Sequence, residues 1–441
     1  MHPDQSLVAA LEALWDIPPS ASQNLWRSRE FIALKELLVK QYRNGKSTFG
    51  LEWSIDNALR SLGLPCSAPY LPDQHRPDFD KVAAALTNEF QRTRTRRRYL
   101  CPLDMAGELP TFQFGDAKIS RFSAAELEAL FDAPRLELFY SDIQLDTQKL
   151  SLFHWLVVEE DVSVRSESGS RRFSGLNFSC DKDLGEIVPH RGRFPTAVER
   201  ALFVLLLAQW EDWADRVEVD WRGFQLPWIY SLDDDLCAFP SQPPTPERLS
   251  WVPDVRQVED NEWDEYERPA YLQTMVSAEN VQQDLESKWA LLQETNALES
   301  ELFSTPVEHF LVRAFLSDGI DEVIAHLIMI EAAFGTEADH ERKMRLGADK
   351  HQEGATRRVA ARLSTAIGKP GAAKEFLDLY DMRCKYVHGR PEGRVISTEQ
   401  RITARRLARE AANALVEQAK VQQPREAVLL KLLNDGVTNL P

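Results

Sequence analysis

From Ser277 to Lys420 apolar residues return every third or fourth position, and the first hundred residues share that period. From about Tyr99 to Arg193 the pattern gives way to aromatic and β-branched runs that partly alternate with polar residues. Two periods in one chain exclude a purely helical or purely β architecture, because a helix shows one face every 3.6 residues and a strand every two. At 441 residues the chain also exceeds what one core serves. The expected class is α+β and multidomain. A helical region spans 1–98, and a β-rich mixed domain with one long helix spans 99–239. A Pro-rich, acidic linker follows over 240–276, and an all-α bundle over 277–441.

Within the first region "SLVAALEALW", "SREFIALKELLVKQY", "LEWSIDNALRSLG" and "DFDKVAAALTNEFQR" read as helices. In the second, "TFQFGDAKISRFS", "LELFYSDIQL", "FHWLVVEEDVSVRSES" and "RRFSGLNFSCD" read as strands and turns. "SAAELEALF" is a short helix with Ser123 as N-cap, and "PTAVERALFVLLLAQWEDWADRV" is one long helix from Pro195. "FQLPWIYSLDDDLCAF" suggests a further strand pair, its acidic triplet a turn. The linker carries seven acids from Asp254 to Glu267 against Arg256 alone and is not expected to pack as regular structure. Beyond a boundary near residue 275, Ser277 caps one helix, and Thr305, Pro306 and Glu308 spell the start of another.

The longest apolar run, "ALFVLLLA", is too short to span a bilayer, and "MHPDQSLVAALEALWD" does not read as a signal peptide. The five cysteines are scattered, which argues against a disulfide framework and a structural zinc site. A cytoplasmic protein without membrane contact is expected. Phosphate-loop, dinucleotide-binding, HExxH and GxSxG motifs are absent, so no cofactor or metal is expected. The net charge of −17 argues against a whole surface built for nucleic acid. It is uneven, however. His340–Pro441 holds 20 Lys and Arg against 12 Asp and Glu, a net of +8, which leaves −25 on the first 339 residues. A second basic run, "RTRTRRRYLCPLD", contains Arg92, Arg94, Arg96, Arg97 and Arg98. It is either a solvated helix end or strand edge, or a patch that contacts phosphates.

The basic C-terminal part contains "EFLDLYDMRCKYVHGR", Glu375 to Arg390. Arg383 and His388 are five residues apart, so one regular helix sets them about 140° from each other. They converge only if the helix ends at His388 with Gly389 as a left-handed cap, or if a second chain supplies the other half. Arg and His without a carboxylate or metal suit RNA, which brings its own 2′-OH nucleophile. His moves protons, and Arg binds phosphate bidentately.

The run "IMIEAAFG" (Ile328 to Gly335), a polar loop, "RRVAARLSTAIG" and "FLDLYDMRCKYVHGR" together resemble the Apea-like branch of the HEPN superfamily. That pattern has an acid before an aromatic, a helix of the R-x-A kind and then LYD-x-R-S/N-x-x-x-H-G. The likeness covers about residues 300 to 420. The stretch from "RRRYLCPLD" to the linker also looks like the N-terminal half found beside such domains. The resemblance implies a helical bundle that forms a homodimer through the motif helices, with Arg383 and His388 of two chains lining one cleft. Many such proteins are metal-independent ribonucleases of toxin–antitoxin, abortive-infection or antiphage systems. Carried over, Arg383 contacts the scissile phosphate and His388 is the general acid or base. Glu331, at the acidic position, orients Arg383 or is structural. Lys385, Arg390, Arg94 and Arg97 are candidate contacts to the RNA. Two departures stand out: Cys384 takes the Ser/Asn place, and Arg390 stands where a toxin subgroup has Tyr. Two functions follow as expectations. One is an endoribonuclease effector restrained or triggered by its N-terminal half. The other is a non-catalytic HEPN module for dimerisation or RNA or nucleotide binding. A phage protein, a tRNA held by the Arg92–Arg98 cluster, or the chain's own C-terminal domain are the alternatives for what the N-terminal half recognises.

Overall fold

The computed structural model describes residues 4–17, 25–42, 50–64, 76–164, 194–215, 221–257, 263–272, 274–340, 353–389 and 395–441. Helices α1 (Gln5–Trp15), α2 (Arg29–Tyr42), α3 (Leu51–Ser61) and α4 (Phe79–Gln91) come first. Strand β1 (Arg94–Leu103), the hairpin β2 (Phe112–Phe114) and β3 (Ala117–Arg121), and helices α5 (Ala124–Phe131), α6 (Ala133–Phe139) and α7 (Thr147–Leu150) follow. Next are β4 (His154–Ser163), α8 (Thr196–Leu206), α9 (Trp210–Trp213), β5 (Tyr230–Asp233), β6 (Trp251–Gln257) and β7 (Trp263–Pro269). The C-terminal region is helical: α10 (Ala278–Thr295), α11 (Val307–Leu316), α12 (Gly319–Phe334), α13 (Ala355–Ala366), α14 (Ala372–Val387), α15 (Thr398–Gln418) and α16 (Arg425–Gly436). The protein is thus mixed α and β, with sheet in the middle and helices at the C-terminal end. No described helix is long and apolar enough to cross a membrane.

Two compact units interleave along the chain, whereas composition suggests a serial break near residue 275. One comprises Met1–Pro102, Arg121–Glu186 and Pro227–Leu249. The other comprises Leu103–Ser120, Ile187–Leu226 and Ser250–Pro441.

In the first unit the helical period becomes a core. Leu7, Leu11 and Leu14 of α1 meet Phe31, Leu34 and Leu38 of α2, Ile55 and Leu59 of α3, and Val82, Leu86 and Phe90 of α4. Asp4 and Asp78 cap α1 and α4. Strand β1 lies between β4 and β5, antiparallel to β5 with Arg97 opposite Asp233. Buried Arg135 donates to the carbonyls of Asp233, Asp235 and Ala238, which pins the chain leaving β5.

Several expectations change. "LELFYSDIQL" is no strand: Leu136–Phe139 belong to α6. Pro134 sits in its first turn, and Leu136 and Phe139 bury one helical stripe. The long helix expected from Pro195 stops at Leu206. The Trp210 indole N–H donates to the Leu205 carbonyl, the group a continuing helix would offer to Gln209. "FQLPWIYSLDDDLCAF" contributes the single strand β5. "RRFSGLNFSCD" lies outside the described residues. The expected linker carries the β6–β7 ribbon. Two of its acids are answered across the strands, Asp264 by Arg256 at 2.8 Å and Asp254 by Arg268 at 2.6 Å. The run of acids, counted linearly, hides that pairing.

The helical part of the second unit is built round α12. Its last carbonyls, Ala332 and Ala333, accept from Arg425 of α16. Thr305 also serves this end, donating to the Ala332 carbonyl at 2.7 Å, while Pro306 rather than Thr305 is the cap residue of α11. Arg362 of α13 binds Asp339 through both oxygens (2.5 and 2.9 Å) and donates to the Phe334 carbonyl. Helix α16 crosses α13 at Gly436, where a Cβ would come within 2.1 Å of the Ala361 carbonyl oxygen.

The N-terminal part of α12 holds a buried ionic cluster. Glu322 accepts from Arg405 at 2.5 Å and Arg401 at 3.2 Å, both on α15, and lies 3.9 Å from Arg222. Burial alone would raise the Glu322 carboxyl, but the Arg405 hydrogen bond and charge bring it below its ordinary value. Trp221 lies under the guanidiniums of Arg405 (4.8 Å) and Arg222 (5.5 Å) and beside the His326 ring (5.6 Å). His326 is 1 % exposed and neither ring nitrogen has a hydrogen-bond partner. Burial, with the charges of Arg405 and Arg222, brings its pKa from 6.5 to about 4, against the pull of Glu322.

A lowered histidine pKa means that the unfolded chain binds the proton more readily. Its contribution to stability is present above pH 6.5 and is lost as pH falls from 6.5 toward about 4. Between pH 7.5 and pH 5 that loss is about 2 kcal/mol. Urea unfolding of the wild type and of His326→Phe at both pH values checks this. The wild type should lose more stability on acidification than the variant, and equal losses would contradict the assignment.

Candidate active site

Helix α14 is seated by Ala372, Ala373, Phe376, Leu379 and Met382, buried at three- and four-residue steps. Arg383, the next residue after Met382, is half-buried at the edge of that stripe. Its Nη1 donates to Glu331 Oε2 of α12 at 3.5 Å, and its guanidinium lies 5.4 Å from the Tyr380 ring, one turn back. The arginine is therefore held by a carboxylate and an aromatic face, with about a quarter of its side chain open to solvent.

Glu331 sits one turn before the C-terminus of α12, and burial pushes its carboxyl above the usual range. The positive charges of Arg383 and His340 pull it partly back. Arg383 thus faces a half-buried carboxylate whose charged form burial disfavours.

The end of α14 adopts the helix-end arrangement. The His388 N–H donates to the Cys384 carbonyl at 3.0 Å and the Gly389 N–H to the Tyr386 carbonyl at 3.1 Å. Gly389 is left-handed at φ +65°, where a side chain would be strained. His388 is exposed at this end, beside Tyr386 and Val387, which are 40 % and 61 % exposed. Five residues of helix separate Arg383 from His388 by about 7.5 Å along the axis and about 140° around it. The two therefore share a helix end but not a face. Cys384 is half-buried and forms no disulfide. Lys385 pairs with Asp381 one turn earlier at 2.7 Å. Arg390 lies outside the described residues.

Arg94 and Arg97 belong to the first unit, on β1. Arg92 stands at the C-terminal end of α4, the helix end the sequence suggests, whereas Arg94 to Arg98 lie on β1, a strand flanked on both sides rather than a sheet edge. Arg97 binds Asp233 through both carboxylate oxygens at 2.6 and 2.9 Å, which raises its pKa further. Arg94 donates to the Asp161 carbonyl at 2.8 Å. Arg96 and Arg98 meet Glu159 of β4 at 3.4 and 3.1 Å, and Arg92 meets Asp234 at 2.7 Å. The arginines are answered by carboxylates and carbonyls of the neighbouring strands. Asp233 and Asp234 act as their ion-pair partners, and Asp235 accepts from the Cys237 N–H.

Sequence reasoning assigns no role to Tyr380 and Asp381, although both stand inside the LYD-x-R run, nor to His340. The first two left a signal on the helix itself, an aromatic three residues before Arg383 and an acid four before Lys385. His340 left none, since only the fold brings its charge near Glu331. Among the described residues no group of three or more His, Cys, Asp or Glu side chains could hold a metal ion. No family model, no curated protein and no solved structure matches the chain.

If Arg383 lowers the Glu331 pKa from across the 3.5 Å contact, Arg383→Ala leaves burial unopposed by that charge. Carboxyl-carbon NMR should then show Glu331 titrating at higher pH in the variant than in the wild type. An unchanged midpoint would mean that the pair does not form in solution.

Proposed function

We propose that the C-terminal helical region is a metal-independent endoribonuclease of the HEPN type. The observation that carries the reading is the helix end. A partly open arginine, held by Glu331 and Tyr380, precedes by five residues an exposed histidine at a glycine-capped terminus. In the proposed reaction the 2′-oxygen of RNA attacks the adjacent phosphorus while the bond to the 5′-oxygen breaks. Arg383 binds the non-bridging phosphate oxygens, which gain charge in the transition state. His388 passes a proton, taking it from the 2′-OH or giving it to the leaving 5′-oxygen.

Because one helix sets the two side chains about 140° apart even though it ends at His388, the reading takes the second arrangement, in which another copy supplies the other half of the site. The reading therefore includes a homodimer in which the ends of two α14 helices meet, with exposed Tyr386 and Val387 at the contact. Much of the net +8 over His340–Pro441 is taken by Glu322, Asp339 and Glu211, so an RNA ligand, tRNA among the candidates, would be held at the partly open Arg383 with Lys385 and Arg390 near the backbone. Arg94 and Arg97 enter only if RNA displaces the partners they already hold. The cellular role we infer is bacterial antiphage or abortive-infection defence in the cytoplasm. The N-terminal half senses or restrains, and a phage-derived activator is one candidate signal.

Purified protein incubated with total RNA in EDTA tests this. The wild type should cut, and Arg383→Ala and His388→Ala should each reduce cleavage by about 100-fold or more while remaining folded. Folded wild-type dimers that leave RNA intact, with and without phage lysate, would favour the non-catalytic binding module instead.

A further inference from the structure

The ribbon β6–β7 has two unlike faces. Pairing places Val252, Asp254 and Arg256 on one face with Arg268, Tyr266 and Asp264. That face is internally satisfied. Asp254 pairs with Arg268, Asp264 pairs with Arg256, and Arg256 lies over the Tyr266 ring at 5.5 Å.

The opposite face sets Pro253 beside Glu267, Val255 beside Glu265 and Gln257 beside Trp263. Here Trp263 is 67 % exposed and Val255 53 %. Glu265 and Glu267 form no ion pair with a basic residue among the described residues, and the face itself carries no Lys or Arg. A large apolar side chain this open on a two-stranded ribbon is unusual, since such a ribbon on its own is marginal in water. Among the described residues neither β6 nor β7 pairs with a further strand; on β6 Pro253 has no N–H and the Val255 N–H donates to Asp254 at 2.8 Å, so β7 is the edge that offers backbone donors and acceptors.

We propose that this face of β6–β7 docks an extended, lysine- or arginine-bearing segment of a protein partner. The edge supplies main-chain hydrogen bonds, and the face supplies selectivity. Paired on the edge, every second side chain of the segment lies on this face, so a segment that alternates cations with apolar residues sets its cations against Glu265 and Glu267 and a cation with its apolar stem against the Trp263 ring. Charge decides against the other occupants. A second copy of the ribbon, face to face, would bring Glu265 and Glu267 against their own kind, and a nucleic acid would bring phosphates against them. Seven-residue strands fit a segment of about seven residues, roughly 23 Å long.

Fluorescein-labelled heptapeptides that alternate valine with zero, two or four lysines, or with four glutamates, can be titrated with the full-length chain by anisotropy. Affinity should rise with lysine number, the four-lysine peptide binding about tenfold or more tighter than the uncharged one. Trp263→Ser should weaken that binding about tenfold, and the double change Glu265→Lys with Glu267→Lys should switch the preference to the glutamate peptide. All three residues are exposed, so unchanged circular dichroism is expected for both variants. Equal binding of all peptides, no binding, or binding untouched by both variants overturns the proposal. So does wild-type self-association, or oligonucleotide binding, that Trp263→Ser abolishes.

Discussion

The helical part of the second unit depends on one buried carboxylate. Glu322 sits in the first turn of α12 and meets Arg401 and Arg405 of α15, with Arg222 close by, in a place closed to water. Removing one partner of a buried pair leaves an uncompensated charge, which costs about 3–5 kcal/mol. A partly exposed pair such as Glu331–Arg383, at 3.5 Å, contributes about 0.2–1 kcal/mol. The magnitudes give the order of cause. The Glu322 cluster, the Asp339–Arg362 pair and the Arg425 cap fix α12, and Glu331 inherits its position from them. Arg383 then meets a carboxylate whose place is set elsewhere, so the catalytic reading rests on a rigid helix rather than on a strong local contact.

Much of the fold was legible because helices write their period into the sequence. The segments round Leu7, Phe31, Ile55 and Leu86 formed helices where the spacing placed them, and Ser123, Ser277 and Gly389 end or begin helices as their chemistry suggests. What failed, failed through tertiary partners. A buried Trp210 ends α8, Thr305 turns from a cap into a ligand of α12, and cross-strand arginines convert an acidic stretch into a ribbon. The candidate site divides the same way. Arg383, His388 and the helix end could be placed by spacing. The carboxylate against Arg383 and the charge of His340 required the fold, because α12 and α14 are separate in sequence.

Charge counting gives a similar lesson. The Arg92–Arg98 run has the composition of a phosphate-binding patch, yet its guanidiniums are largely taken by Glu159, Asp233, Asp234 and backbone carbonyls. Counterion release depends on cations that phosphates can reach, so a neutralised ladder adds little affinity for RNA. Near the end of α14 the pairing is sparser. Lys385 has Asp381, but Arg383 keeps part of its guanidinium open against a carboxylate that burial already disfavours as a charge. Of the two basic stretches that stand out in the sequence, the second is the better placed to accept a phosphate.

The most direct measurement is the chemistry of the cut ends. RNA cleaved in EDTA by the purified chain can be analysed by mass spectrometry, beside the same RNA carrying 2′-deoxy at the cleaved nucleotide. A site that uses Arg383, His388 and the substrate's own 2′-OH predicts a 2′,3′-cyclic phosphate with a 5′-hydroxyl, and no cleavage of the deoxy substrate. Ends bearing 3′-hydroxyl and 5′-phosphate, or cleavage that persists without the 2′-OH, would contradict it.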